Sequence, residues 1–266
     1  MKKYLAVLKI SLAQEFVYRL NFVVWRVRNV LQFILIYFLW SSVFSDPARQ
    51  VFGYDRTKIL TYIFGILVLR ALVFSARVVD MAGEISEGKI TNYLLKPVNY
   101  FRYWASRDAA SKLLNLGFAT AELIALYLVF KPEIFLQENP FILAAFFLAV
   151  TFALILFFCI LFLVNMIAFW LPENGWAAQF LFIVIITEFA SGGVFPLDIF
   201  PSLIQKILYS FPFPYLLFFP LQVYLGKATG LALIKCLVAA GIWTLVLLVI
   251  IKAVWRRGVK NYAGIS

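Results

Sequence analysis

Six stretches of this chain are each long and apolar enough to cross a lipid bilayer, and that requirement decides most of what it can fold into. They run from about Val23 to Val43, Ile59 to Val78, Leu113 to Phe130, Phe141 to Trp170, Ala177 to Phe195 and Leu231 to Val254. A hydrocarbon core about 30 Å thick takes roughly 20 helical residues to cross, so each run reads as a transmembrane helix. The surrounding composition agrees, since 64% of residues are hydrophobic, well above the usual content of a soluble domain. The expected fold is therefore all-α and integral to the membrane, residues 1–266 forming one transmembrane domain with six spans. The fourth run is long enough to tilt or break, and the fifth leads into a proline-rich stretch.

Orientation follows from the basic residues, which collect on cytoplasmic flanks. Placing the N-terminus inside puts sixteen of the 24 Lys and Arg residues on the cytoplasmic side, including Lys2, Lys3, Lys9, Arg77, Lys112 and Arg256. Seven fall outside, among them Arg56, Lys206 and Lys227, and Arg70 lies within the second span. Both termini are expected in the cytoplasm. The net charge of +11 reads as attraction to anionic membrane lipid, and without a soluble basic domain it does not indicate nucleic acid.

Residues 1–22 are not read as a cleaved signal, because Lys9 interrupts the apolar stretch and no convincing small-residue cleavage site follows. Drawn as a helix, Leu5, Ile10, Leu12, Ala13, Phe16, Val17 and Leu20 share a broad arc opposite Ser11, Gln14, Glu15 and Arg19. This pattern predicts an interfacial helix lying on the inner leaflet, imperfect where Lys9 intrudes.

Catalytic chemistry has few footholds. The chain has no His, which removes the commonest general base and a frequent metal ligand. Cys159 and Cys236 both fall in expected spans, so neither a disulfide framework nor a zinc site is indicated. No catalytic, cofactor-binding or metal residue is assigned. Gly83, Gly88 and Lys89 partly match a P-loop, but Ile90 stands where Ser or Thr is needed, and Glu84 and Glu87 would repel phosphate.

The segment that contains this partial match, GEISEGKITNYLLKP from Gly83 to Pro97, is a charged interruption between two long apolar runs. As a short helix it would be capped by Ser86, favoured by Glu87 in the first turn and stopped by Pro97. Ile90, Tyr93, Leu94 and Pro97 would then share one face, with Lys89, Asn92 and Lys96 on another. Such a face could insert into a partner's groove or rest on lipid headgroups.

Three ionisable residues lie well inside expected spans: Arg70, Glu122 and Glu188. A charge at the bilayer centre costs roughly 2.5 to 3.5 kcal/mol even on the lenient scale, so each should face protein or water. An Arg70–carboxylate pair is one reading; a carboxylate lining a transport path or titrating in a proton-coupled cycle is the other. From Gly192 to Pro220, prolines at 196, 201, 212, 214 and 220 make an unbroken span implausible.

Taken in order along the chain, these segments resemble a family. Glu84 to Ile90 before Leu94-Leu95-Lys96-Pro97, then Ser191 to Pro196, Pro201, Phe211 to Pro214 and the tail Trp255 to Gly258 are similar to the permease subunits of bacterial ABC-2 type exporters. The resemblance covers nearly the whole chain. It implies that a separate cytoplasmic ATPase uses ATP and Mg, none of it bound directly here, and that residues 79–112 form a cytoplasmic coupling segment docking on that ATPase. Glu84, Glu87, Lys89, Ile90, Tyr93, Leu94, Leu95 and Lys96 would carry the contact. It further implies a second permease subunit, identical or related, a place in the bacterial inner membrane, and a re-entrant hairpin over 192–220. Gly192, Gly193, Pro196, Pro201, Pro212 and Pro214 would shape that hairpin. From the residues alone, an extracellular loop lying on lipid fits the same stretch. An ion- or proton-coupled secondary carrier is the alternative function, since broken helices and intramembrane carboxylates suit it too. The first three and last three spans show no convincing correspondence of the kind such carriers often have. A membrane-bound enzyme fits least, with no clustered Asp and Glu motif.

Overall fold

The computed structural model describes residues 2–15, 19–46, 50–174, 179–183 and 188–263. Among these, regular structure is helical apart from one isolated antiparallel bridge between Val51 and Tyr54. Helix α1 (Lys2–Glu15) precedes the long helices α2 (Arg19–Val43) and α3 (Arg56–Val73). A 3-10 turn (Arg77–Asp80) leads into the short helices α4 (Met81–Ser86) and α5 (Thr91–Leu94). Then come α6 (Tyr100–Phe130), α7 (Pro140–Asn165), α8 (Ser202–Tyr209), α9 (Phe218–Tyr224) and α10 (Gly230–Ala263).

Local sequence starts the long helices where they start. Asp55 accepts a hydrogen bond from Lys58 N at 2.7 Å, and Asn99 from Arg102 N at 2.9 Å. Asn139 accepts from Phe141 N at 2.9 Å, with Pro140 in the first helical turn. Each side chain satisfies a donor that the first helical turn leaves unpaired.

Among the described residues, three helices are long and apolar enough to cross a membrane: Tyr100–Phe130, Pro140–Phe169 (α7 with its 3-10 extension) and Gly230–Tyr262 within α10. A fourth arises if α3 and the segment Arg77–Ser86, bent by 43°, count as one broken span. The protein is thus a multi-pass, all-helical membrane protein. The expected third span proves to be the C-terminal part of a longer helix that begins at Tyr100. The expected second span is interrupted between Val73 and Arg77. Helix α2 has 25 residues, about 37 Å of helix, but its first half carries Arg19, Arg26 and Arg28. The expected fifth span lies partly outside the described residues.

Helix α1 packs on α6, and α2, α3 and α6 form a second contact group. Helix α7 lies between α10 and α9. Tyr4, Val7, Leu8 and Ser11 recur at helical spacing on the more buried side of α1, while Leu5 and Ile10 face outward. Lys9 and Gln14 are exposed as well, and Leu12 is half-buried. Aromatic rings fill the interior: Phe33 meets Phe64 edge-on at 4.8 Å, and Tyr100 stacks on Trp255 at 5.2 Å.

Candidate functional site

The segment between α3 and α6 folds as a knuckle rather than the single helix its pattern suggests. Gly88 turns the chain at φ 76°, a conformation open to glycine without steric cost. That turn separates α4 from α5. Ser86 accordingly does not cap a following helix; it ends α4 and donates to Ala82 O at 2.9 Å and Pro172 O at 2.8 Å. The expected apolar face divides by burial. Ile90 is 0% exposed and Tyr93 half-buried, whereas Leu94 is 43% and Leu95 82% exposed.

The buried side of the knuckle is tied into three helices. Glu84 accepts from Tyr100 OH at 3.1 Å and from Tyr93 OH at 3.4 Å, and pairs with Arg107 at 3.4 Å. Burial, with Tyr103 and Glu84 alongside, pushes the Tyr93 phenol well above its ordinary pKa, so it stays a neutral donor. Tyr262, near the end of α10, donates to Gly88 O at 3.1 Å. Lys3 of α1 reaches Pro97 O at 2.5 Å, and Asn99 N donates to Tyr4 OH at 3.1 Å. On the outer side, Glu87 and Lys89 pair with each other, and Lys96 is exposed.

Two polar clamps join this knuckle to the membrane helices. Where α3 ends, Lys112 of α6 donates to Val73 O at 3.2 Å and Ser75 O at 2.6 Å, while pairing with Asp108 at 3.2 Å. Asp108 accepts from Arg77 N at 3.2 Å. One i,i+4 pair thus satisfies acceptors and a donor left over by the break. At the other clamp, Asn165 at the end of α7 accepts from Ala82 N at 3.2 Å and from Gln179, which also donates to Val79 O at 2.8 Å.

The three ionisable residues expected inside spans each have a partner. Arg70 bonds Glu188 and donates to Gly193 O at 3.1 Å. Glu122 instead meets Arg26 at 3.0 Å, whose other nitrogen reaches Asn115 Oδ1 at 2.5 Å. Gly192 (φ 82°) accepts from Tyr62 OH at 2.7 Å. A Cβ there would stand 2.9 Å from both that hydroxyl and Phe218 Cβ; one on Gly193 would stand 2.9 Å from Arg70 Nη2.

Beyond these glycines the chain proceeds in short pieces, as its prolines require. Pro196 precedes a 3-10 turn (Leu197–Ile199), Pro201 precedes α8, and Pro212 precedes another turn (Phe213–Tyr215) that contains Pro214. A polar cluster closes the region. Asp198 accepts from Tyr54 OH at 3.0 Å and Gln222 Nε2 at 3.2 Å, and pairs with Lys227 at 2.8 Å. Lys227 Nζ lies 3.3 Å from the Tyr54 ring centroid. Among the described residues, no group of three or more His, Cys, Asp or Glu is placed to hold a metal ion.

The sequence model of the ABC-2 family transporter proteins matches residues 30–266. The chain belongs to this family. No curated protein matches it. In this ABC-2 transporter, the residues expected at a coupling contact do not form one surface: Glu84 and Ile90 hold the knuckle from within, and Glu87, Lys89, Leu94, Leu95 and Lys96 stand outside. The two clamps and the Asp198 cluster were not anticipated. Lone amides at 165 and 179 within apolar sequence, and Asp108 with Lys112 at i,i+4, were the available signals.

Proposed function

We propose that this chain is the permease subunit of an exporter driven by ATP that a separate cytoplasmic ATPase hydrolyses. In this reading α1 lies on the inner leaflet, six spans cross the bacterial inner membrane with both termini inside, and a second permease subunit, identical or related, completes the path. Residues 192–220 form a re-entrant hairpin capping that path from outside, and residues 79–112 couple to the ATPase.

The observation that carries this proposal is the two-sidedness of the knuckle. Leu94 and Leu95 present apolar surface at its tip, while Glu84, Gly88, Pro97 and Asn99 bind its base to α6, α10 and α1. Exposed apolar side chains on a firmly held base suit a contact through which force passes. The clamps at Asp108–Lys112 and Asn165–Gln179 provide a mechanical route from that tip to α3, α6 and α7. A secondary carrier has no use for such a tip.

Copurification tests the proposal. The tagged protein should bring down an ATPase with its own P-loop, and Leu94→Asp with Leu95→Asp should abolish this at unchanged membrane level. Leu203→Asp, on the exposed face of α8, should leave it intact. Association that survives the double substitution would remove the coupling assignment, and a well-folded protein that never carries an ATPase would favour the carrier.

A further inference from the structure

Past the turn at Gly88 the chain changes its charge. No Asp or Glu occurs between Glu87 and Asp108, while Lys89, Lys96, Arg102 and Arg107 all fall there. Two of these cations are answered: Lys89 by Glu87, and Arg107 by Glu84 at 3.4 Å. Lys96 and Arg102 are exposed, and among the described residues no carboxylate pairs with either.

Helix α1 adds a third cation. Lys3 Nζ donates to Pro97 O at 2.5 Å, a neutral acceptor that leaves the ammonium charge unanswered. Asn99 fixes the neighbouring contacts, donating through its backbone to Tyr4 OH and accepting from Arg102 N through its side chain. Three cations therefore stand at the end of the knuckle that exposes Leu94 and Leu95. Lys96 follows Leu95 directly, Lys3 bonds the residue after that, and Arg102 lies in the first turn of α6.

An apolar centre with a polar edge is the usual composition of a protein interface. At about 0.1 M salt a charge is felt over about 10 Å, so neighbouring cations act together on an approaching surface. A leaflet is the poorer match. Helix α5 is one turn long, and hold on lipid scales with buried apolar area, of which two leucines offer little.

We propose that the surface meeting the knuckle is acidic: an apolar depression on the soluble ATPase that takes Leu94 and Leu95, edged by carboxylates facing Lys96, Arg102 and Lys3. This rests on the coupling assignment above and adds the chemistry of the partner. The leucines supply the hold. The cations speed the encounter and set its register, since charges at an interface's edge act chiefly on association rate and salt dependence.

The subunit captured from position 95, purified and returned to membranes bearing the full chain, tests this with a carbodiimide, which joins an amine directly to a carboxylate. Lys96 should form an amide with an Asp or Glu of that subunit. Lys96→Arg, which keeps the charge and removes the amine, should lose the bond and keep the affinity. Lys96→Glu with Arg102→Glu should weaken binding about tenfold in about 0.05 M salt and less than about threefold in about 0.5 M salt, through slower association. Lys206→Glu on α8 should leave binding unchanged. The proposal is overturned if position 95 captures the ATPase but Lys96 finds no carboxylate, or if the double reversal leaves low-salt binding unaltered; the coupling assignment survives both results. A double reversal that lowers retention of phosphatidylglycerol, with no ATPase captured at position 95, would give the cations to lipid and overturn both.

Discussion

Gly88 and Gly192 turn the backbone at nearly the same angle, φ 76° and 82°, in opposite surroundings. A Cβ at Gly88 would meet nothing nearer than Tyr262 OH at 3.4 Å, whereas one at Gly192 would press on Phe218 and Tyr62 at 2.9 Å. The first turn carries exposed Leu94 and Leu95 at its tip; the second is enclosed by the Arg70–Glu188 pair and stands beside the Asp198 cluster. One interruption of helix leaves apolar side chains exposed, and the other is enclosed. A protein that passes movement from a soluble partner to a membrane path needs both kinds.

That contrast can be broken at the held end first. Arg70→Met takes away the hydrogen-bonded partner of the buried Glu188 carboxylate, and should cost about 3 to 5 kcal/mol. Folded protein in detergent, measured by thermal melting, should fall sharply. Adding Glu188→Leu should recover much of the loss, because the price of the pair lies in breaking it. Failure of the double variant to recover would give the pair more than a structural role.

Gly192→Ala should destabilise by about 2 to 4 kcal/mol, combining left-handed backbone strain with overpacking against Phe218. Gly88→Ala carries the strain alone, about 1 to 2 kcal/mol. Melting the two variants side by side measures the contrast between the two turns directly, and equal losses would erase it. Leu95→Asp should change stability by less than about 0.5 kcal/mol, as surface substitutions usually do, while weakening ATPase association most.

Much of this arrangement was legible in the sequence. The long apolar runs reveal themselves because a bilayer tolerates only helices of that length. An Arg70–carboxylate pair followed from the cost of a lone charge in lipid, and the broken path from 196 to 220 from proline's missing donor. The knuckle's internal division was not legible. Helical spacing placed Ile90 and Leu94 on one face, yet the knuckle buries Ile90 and leaves Leu94 exposed, a difference that spacing within one turn does not announce. Lys112 read as a flanking cytoplasmic charge. In the fold it fills the break after α3, because Val73 and Ser75 present carbonyls with no helical partner, a need that no local pattern announces.

The central claim is that Leu94 and Leu95 touch an ATPase. A photoreactive amino acid at position 95, with a second at position 203 as reference, tests it in cells. The account predicts a crosslink from position 95 to a soluble subunit bearing a P-loop, and none from position 203. Crosslinks from position 95 to lipid alone, in a protein that is folded and inserted, would contradict it.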